Sequence, residues 1–151
     1  MVKIYLASDH AGFSLKQKIK KFLEKKKITC VDMGDFQKND NDDYPDFVLP
    51  LAKKVAQEKN AKGIIVGGSG QGEAIAANKI KGVRAALYYG GNKNILKLSR
   101  EHNDANILSL GARFLKEKEA LSAINLWLKT PFSHDARHMR RINKVDELGS
   151  R

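Results

Sequence analysis

A chain of 151 residues, 42% of them hydrophobic, can bury one substantial core and has the usual size of a single domain, so residues 1–151 read as one domain. Its apolar runs, such as 63–66 and 85–87, fall far short of the roughly 20 residues a bilayer span requires. Polar Ser8-Asp9-His10 also follows the first apolar stretch too early for a signal peptide, which predicts a cytoplasmic protein with no membrane partner. The net charge of +11, from 28 basic and 17 acidic residues, suits either a nucleic-acid binder or an enzyme for anionic metabolites. Cys30, the single cysteine, cannot form an internal disulfide, and its place in Ile28-Thr29-Cys30-Val31 predicts a packed core thiol.

In chain order, 2–7 reads as a buried strand running into Ser8-Asp9-His10-Ala11-Gly12. A helix follows, with Leu15, Ile19, Phe22 and Leu23 on one face and the lysines, Lys16, Lys18, Lys20, Lys21, Lys25, Lys26 and Lys27, predicted outside as a solvated face. The second strand, 28–33, ends at Gly34, and the polar stretch 37–43 is a loop. Tyr44-Pro45-Asp46 opens a helix that points Phe47, Leu51, Val55 and Leu49 inward, with Pro50 tolerated near its start. Three further strand–helix pairs follow: strand 63–66 with a helix over 73–79, strand 83–87 with a helix over 94–100, and strand 107–110 with a helix over 115–128.

Alternating β and α with continuous apolar strands implies parallel pairing. The predicted fold is α/β, a Rossmann-like three-layer αβα sandwich with about five strands and helices on both faces. Beyond Pro131 comes a last basic helix with too few apolar positions for an ordinary core element, so it is expected to reach a partner subunit.

In open parallel sheets ligands bind outside the carboxyl ends of the strands. Asp9 and His10 follow the first strand there, and Gly67-Gly68-Ser69-Gly70-Gln71-Gly72 with Glu73 follows the third. Nearby helices add His102, Asn103 and Arg113. Taken singly, an Asp after a strand is an ordinary cap and a glycine loop an ordinary turn.

The loop is no Walker A, lacking Gly-Lys-Ser/Thr, and Gln71 breaks the Gly-x-Ser-x-Gly elbow. Glu73 stands where a dinucleotide fingerprint needs its third glycine. What remains is a cradle of N–H donors beside a carboxylate, an arrangement that suits enolisation: a base moves a proton between neighbouring carbons while fixed donors hold the enediolate oxygen. A first-turn glutamate that merely favours the helix dipole is the alternative.

His102 can donate a proton near neutral pH and help open a sugar ring, or be structural. Arg137 and Arg141, four apart, share a helical face and can grip a phosphate, whereas His138 and Arg140 are expected to point elsewhere. A solvated basic tail is the other reading of this segment. His10, His102, His134 and His138 make no convincing metal-ligand set with the local carboxylates, so neither metal nor cofactor is expected.

Over nearly its whole length the chain resembles the ribose-5-phosphate isomerase B family, which also contains galactose-6-phosphate isomerase subunits and allose-6-phosphate isomerases. The resemblance rests on Ser8-Asp9-His10-Ala11-Gly12, Asp43-Tyr44-Pro45, Gly68-Ser69-Gly70-Gln71-Gly72 with Ile75-Ala76-Ala77-Asn78-Lys79, Arg100-Glu101-His102-Asn103, and Arg137-His138 with Arg141.

It implies interconversion of ribose 5-phosphate and ribulose 5-phosphate through a cis-enediolate. Many members of the family use a cysteine base at the position of Gly67, and the form seen here resembles the branch whose base is the glutamate after the loop, hence Glu73. By the same resemblance His102 is the ring-opening acid and Asp9 and His10 contact the sugar. Residues Gly68, Ser69, Gly70, Gln71 and Gly72 supply the anion hole, and Asn103, Arg113, Arg137 and Arg141 bind substrate, the arginines chiefly through phosphate. It further implies a homodimer, sometimes paired into a tetramer, with active sites shared between subunits. The alternatives are a six-carbon substrate such as allose 6-phosphate or galactose 6-phosphate, a non-catalytic sugar-phosphate sensor, and a nucleic-acid-binding module. The last leaves Glu73, His102 and the glycine loop without a purpose, so no nucleic-acid partner is expected.

Overall fold

The structure, a computed structural model, describes residues 2–149. Five strands, β1 (Ile4–Ser8), β2 (Cys30–Asp32), β3 (Lys62–Gly67), β4 (Ala85–Tyr88) and β5 (Ile107–Gly111), pair in the order β2-β1-β3-β5-β4. Every neighbouring pair is parallel. Between and after them run α1 (Phe13–Lys25), α2 (Pro45–Gln57), α3 (Gln71–Ala77), α4 (Asn94–Glu101), α5 (Glu117–Lys129) and α6 (Ala136–Leu148).

Side chains alternate across a strand, and the two core clusters follow that alternation. Ile4 and Leu6 of β1, Ile64 and Val66 of β3, and Leu108 and Leu110 of β5 bury against Leu15, Ile19 and Leu23 of α1, Leu96 of α4 and Ile124 and Trp127 of α5. Tyr5, Ala7, Ile65 and Ile107 face the other way, onto Val48, Leu51, Ala52 and Val55 of α2 and Ala77 of α3. The three-layer αβα sandwich predicted from the strand and helix periods is therefore the observed fold. Among the described residues no helix is long and apolar enough to cross a membrane.

Several local expectations are corrected. Lys16 does not lie on a solvated face: it is fully buried, its Nζ 2.7 Å from Asp32 Oδ1 and bonded to the Asp35 carbonyl. The buried stripe of α2 is Val48, Leu51, Ala52 and Val55, with Phe47 and Leu49 only half-buried. Pro50 lies inside α2, on its exposed side, rather than in its opening turn. Cys30 is half-buried at the sheet edge rather than in the core, and burial pushes its thiol up to about 11, which leaves it unreactive at neutral pH.

β2 and β4 are shorter than the apolar runs suggested, and α3 begins at Gln71. Helix α6 does lack an apolar core face, since His138 is its one buried residue among those described.

Candidate active site

Strand order reverses between β1 and β3, where the chain leaves β1 for β2 on one side and returns to β3 on the other. Such a reversal opens a crevice at the carboxyl ends of the two strands. From β1 emerge Asp9, buried, and His10, half-buried. The Asp9 carboxylate accepts from the Gly12 N–H at 3.1 Å. His10 is held through two donors, since its backbone N–H and its ring Nδ1 both reach Asp42 Oδ1, at 3.1 and 2.6 Å. The hydrogen bond to Asp42 raises the His10 pKa, and Asp9 and Asp40 add to the effect.

From β3 emerges the glycine loop. The ladder to β5 continues past the strands, Ala112 N–H donating to the Gly67 carbonyl at 2.8 Å and Arg113 N–H to that of Gly68 at 3.0 Å. Ser109 Oγ holds the Gly70 carbonyl at 2.7 Å. Gly70, the N-cap of α3, has a left-handed φ of 75°, which glycine adopts without steric cost. The Arg113 guanidinium lies over Gly68, 3.1 Å from where a Cβ would stand. Sequence neighbours Ser69, Gln71 and Gly72 line the turn, with Ser69 Oγ 3.3 Å from the Gln71 N–H.

Glu73 then turns back under the loop. Its carboxylate fills the space that a side chain on Gly67 would need: a Cβ built there falls 2.6 Å from Oε2 and closer still to Cδ and Oε1. Burial raises the Glu73 pKa, and the charge of Asp9 raises it further. A carboxylate tuned upward beside a cradle of N–H donors is suited to general-base work near neutral pH.

The remaining predicted residues lie elsewhere. His102 and Asn103 follow α4 and precede β5; the Asn103 carbonyl accepts from Arg84 Nε at 2.9 Å, and Arg84 stands just ahead of β4. They therefore sit at the amino ends of β4 and β5, across the sheet from Glu73, Asp9, His10 and Arg113. A strand the length of β5 separates the two edges, about 16 Å at 3.3 Å per residue. Arg141 lines a groove of about 720 Å³ with Asn103, Ser99, Arg84 and Asn78 at that same edge. Arg137 is exposed on the turn of α6 that begins with the Asp135 cap.

His138, expected to point away from the arginine pair, does so and stacks on His102 with ring centroids 4.1 Å apart and planes 17° from parallel. Burial lowers its pKa, and His102 and Arg137 reinforce the shift. An inner stripe was present in the sequence: His138, Ile142 and Asp146 recur every fourth residue, and they are less exposed than their neighbours. Asp42 also escaped notice, being one of several carboxylates in a polar loop.

Asp9, His10 and Asp42 bring one ligand atom each within 4.8 Å of one another. Two atoms sharing a tetrahedral zinc stand about 3.3 Å apart at the usual bond lengths; the 2.6 Å between His10 Nδ1 and Asp42 Oδ1 is a hydrogen bond.

Comparison with known proteins gives this site its relatives. The sequence profile described as Ribose/Galactose Isomerase matches residues 4–145. The chain belongs to that family. It is 41% identical over 146 residues to the ribose-5-phosphate isomerase B of Mycolicibacterium paratuberculosis, covering 97% of this chain and 91% of that protein. The crystal structure of ribose-5-phosphate isomerase B from Mycoplasma genitalium with bound ribulose-5-phosphate superposes with a TM-score of 0.92 at 39% identity, over 98% of this chain and 96% of that one. The solved structure of the Clostridium thermocellum ribose-5-phosphate isomerase B gives a TM-score of 0.91 at 42% identity, over 99% of this chain and 97% of that one. The Rossmann-like sheet predicted for this family is thus shared with solved members.

Proposed function

We propose that this chain is an aldose–ketose isomerase interconverting ribose 5-phosphate and ribulose 5-phosphate, with Glu73 as the base that moves the proton. The observation that carries the assignment is the Glu73 carboxylate lodged in the space left by Gly67, buried against the loop and raised in pKa. In relatives with a cysteine at that position, the sulfur would project into the same space. Glycine at 67 and a carboxylate from 73 thus deliver a base to one place by a different route.

In the proposed reaction His102 gives a proton to the ring oxygen as the furanose opens to the aldehyde. Glu73 removes the proton from C2, the electrons move to form a cis-enediolate, and N–H groups of 68–72 hold its oxygen. Return of the proton to C1 completes the ketose. Asp9 and His10 contact the sugar, and Asn103, Arg113, Arg137 and Arg141 hold the remainder, chiefly the phosphate. Ring opening breaks the C1–O4 bond as the C1 hydroxyl gives up its proton, and isomerisation then moves one proton from C2 to C1 and one from O2 to O1; with no net oxidation, the chemistry calls for no metal or cofactor.

A site divided between opposite sheet edges supports a homodimer in which one subunit's Glu73 meets the other's His102. Ile75, Tyr89 and Phe114, exposed apolar side chains near the loop, suit the face of such a contact, since large apolar groups on one surface favour association. Within that arrangement α6 brings Arg137 and Arg141 to the partner's crevice.

Turnover measured on ribose 5-phosphate, allose 6-phosphate and galactose 6-phosphate tests the substrate, with ribose 5-phosphate expected to be fastest. Glu73→Gln is expected to abolish turnover and retain substrate binding. Wild-type turnover in that variant refutes the proton-shuttle role.

A further inference from the structure

The loop between β2 and α2 carries Asp40, Asp42 and Asp43, and only Asp42 is drawn inward: its side chain is 6% exposed, whereas Asp40 and Asp43 are exposed. One of its oxygens, Oδ1, accepts from both the backbone and the ring of His10. The other, Oδ2, is buried without a hydrogen-bond partner among the described residues.

Burying a carboxylate is costly, and leaving one of its oxygens unpartnered adds to the cost. Asp42 therefore contributes little to folding by itself. What it does provide is specific to His10. A carboxylate accepting from Nδ1–H fixes the imidazole tautomer and ring direction and leaves Nε2 as the only free ring nitrogen.

The charged groups facing His10 are Asp9 from its own segment and Asp40 and Asp42 from the loop packed against it. All are carboxylates, so they favour the doubly protonated ring, in which Nε2–H is a donor for an anionic oxygen.

We propose that Asp42 is a positioning residue for the isomerase reaction: it clamps His10 from the β2–α2 loop so that Nε2 is presented to an oxygen of the sugar phosphate. This rests on the reading of His10 as a substrate contact. What separates the role from a structural one is where the carboxylate's bonds go: among the described residues both side-chain hydrogen bonds of Asp42 are made to His10.

The test is steady-state kinetics on ribose 5-phosphate across pH for Asp42→Asn, Asp42→Glu, His10→Ala and the double variant His10→Ala/Asp42→Asn, with thermal unfolding of each. Asp42→Asn is expected to fold with an unchanged or higher Tm and to lose roughly 10- to 100-fold in kcat/KM, the range seen when a partner orienting a histidine is removed.

The sign of the pH effect follows from the raised His10 pKa. With Asp42 the ring keeps its charge to higher pH, so in Asp42→Asn the alkaline fall of kcat/KM moves to lower pH. Asp42→Glu is expected to recover part of the loss. In the His10→Ala background Asp42→Asn adds nothing further, since the two residues act as one unit.

Wild-type kcat/KM and pH profile in Asp42→Asn, or an equal loss with and without His10, overturns the proposal. Full activity in His10→Ala instead overturns the substrate-contact reading on which it rests, so the two failures are distinguishable.

Discussion

Gly67→Ala is the sharpest perturbation the geometry offers. Gly67 has no left-handed φ, so alanine meets no backbone penalty, and all three of the nearest atoms to the added Cβ belong to the Glu73 carboxylate. Contacts under 3.0 Å are essentially never seen for real Cβ atoms, and 3.4–4 Å is ordinary contact. The end of the Glu73 side chain must therefore retreat by roughly 1.5 Å, more than the ~1 Å that costs about 10²-fold when it misplaces a reacting group. Complete loss of a general base costs about 10²–10⁴-fold, so kcat on ribose 5-phosphate is expected to fall within that range.

Stability should move little, because a compatible Gly→Ala change gains about 0.4–1 kcal/mol through the unfolded chain, which offsets the rearrangement. Turnover is followed by coupled assay, and substrate binding by calorimetry on the same preparation. A Gly67→Ala enzyme with wild-type kcat refutes the assignment of Glu73 to that space. The converse is Gly67→Cys with Glu73→Ala, expected to exceed Glu73→Ala in activity and to be inactivated by iodoacetamide, while Cys30 with its thiol pushed up to about 11 stays unmodified.

Because burial raises the Glu73 pKa, the acid limb of the kcat–pH profile is expected above the ordinary glutamate value of about 4.3. A group whose folded pKa is raised favours the folded state at low pH and loses that contribution as pH rises through the folded value, so Glu73→Gln is expected to match or exceed the wild-type urea midpoint at neutral pH. Lys16→Met leaves Asp32 with Lys20 at 3.6 Å and the Gly34 N–H at 3.0 Å, and is expected to cost about 3–5 kcal/mol in urea unfolding, the usual effect of breaking a buried pair. His138→Ala removes a stacked ring from His102; at about 0.5–1.5 kcal/mol per such pair it is expected to lower kcat/KM roughly 2- to 10-fold on ribose 5-phosphate. It should spare 4-deoxyribose 5-phosphate, which lacks the hydroxyl that closes the furanose, and His138→Phe should retain most of the activity.

The order of strands and helices was legible because it depends on local periodicity: Leu15, Ile19 and Leu23 repeat with the helix, and 63–66 is apolar throughout because β3 is covered on both faces. Arg113, expected on a nearby helix, lies instead in the turn just after β5; Glu73, Asp9 and His10 were legible by a topological rule, since each follows a strand end. Lys16 was not, because its burial depends on Asp32 and the Asp35 carbonyl, which only the parallel pairing of β1 with β2 brings over α1. Asp42 was hidden for the same reason among neighbouring carboxylates. His138 was signalled by the four-residue stripe of α6, whereas the arginine pair marks the outer face of that helix. The division of the site between two sheet edges required the strand directions together with the Arg84–Asn103 contact.

The direction of the Glu73 shift also decides how the net charge of +11 acts. A strongly positive molecule attracts a sugar phosphate and favours ionised carboxylates, so charge alone would depress Glu73 and make it a weaker base. Burial acts in the opposite direction and is the largest influence on Glu73, raising its pKa with Asp9 as a neighbour. Exposed lysines on α1 are screened beyond about 8 Å at physiological salt, whereas the withdrawal of Glu73 from water acts at the carboxylate itself. Long-range charge and local burial are thereby separated. In the proposed reaction the first would guide an anion toward the crevice, and the second would keep Glu73 basic enough to take a carbon-bound proton. Adding salt is therefore expected to lower kcat/KM through substrate capture and to leave the acid limb of kcat in place. A salt-dependent shift of that limb would mean that surface charge, and not burial, sets the base.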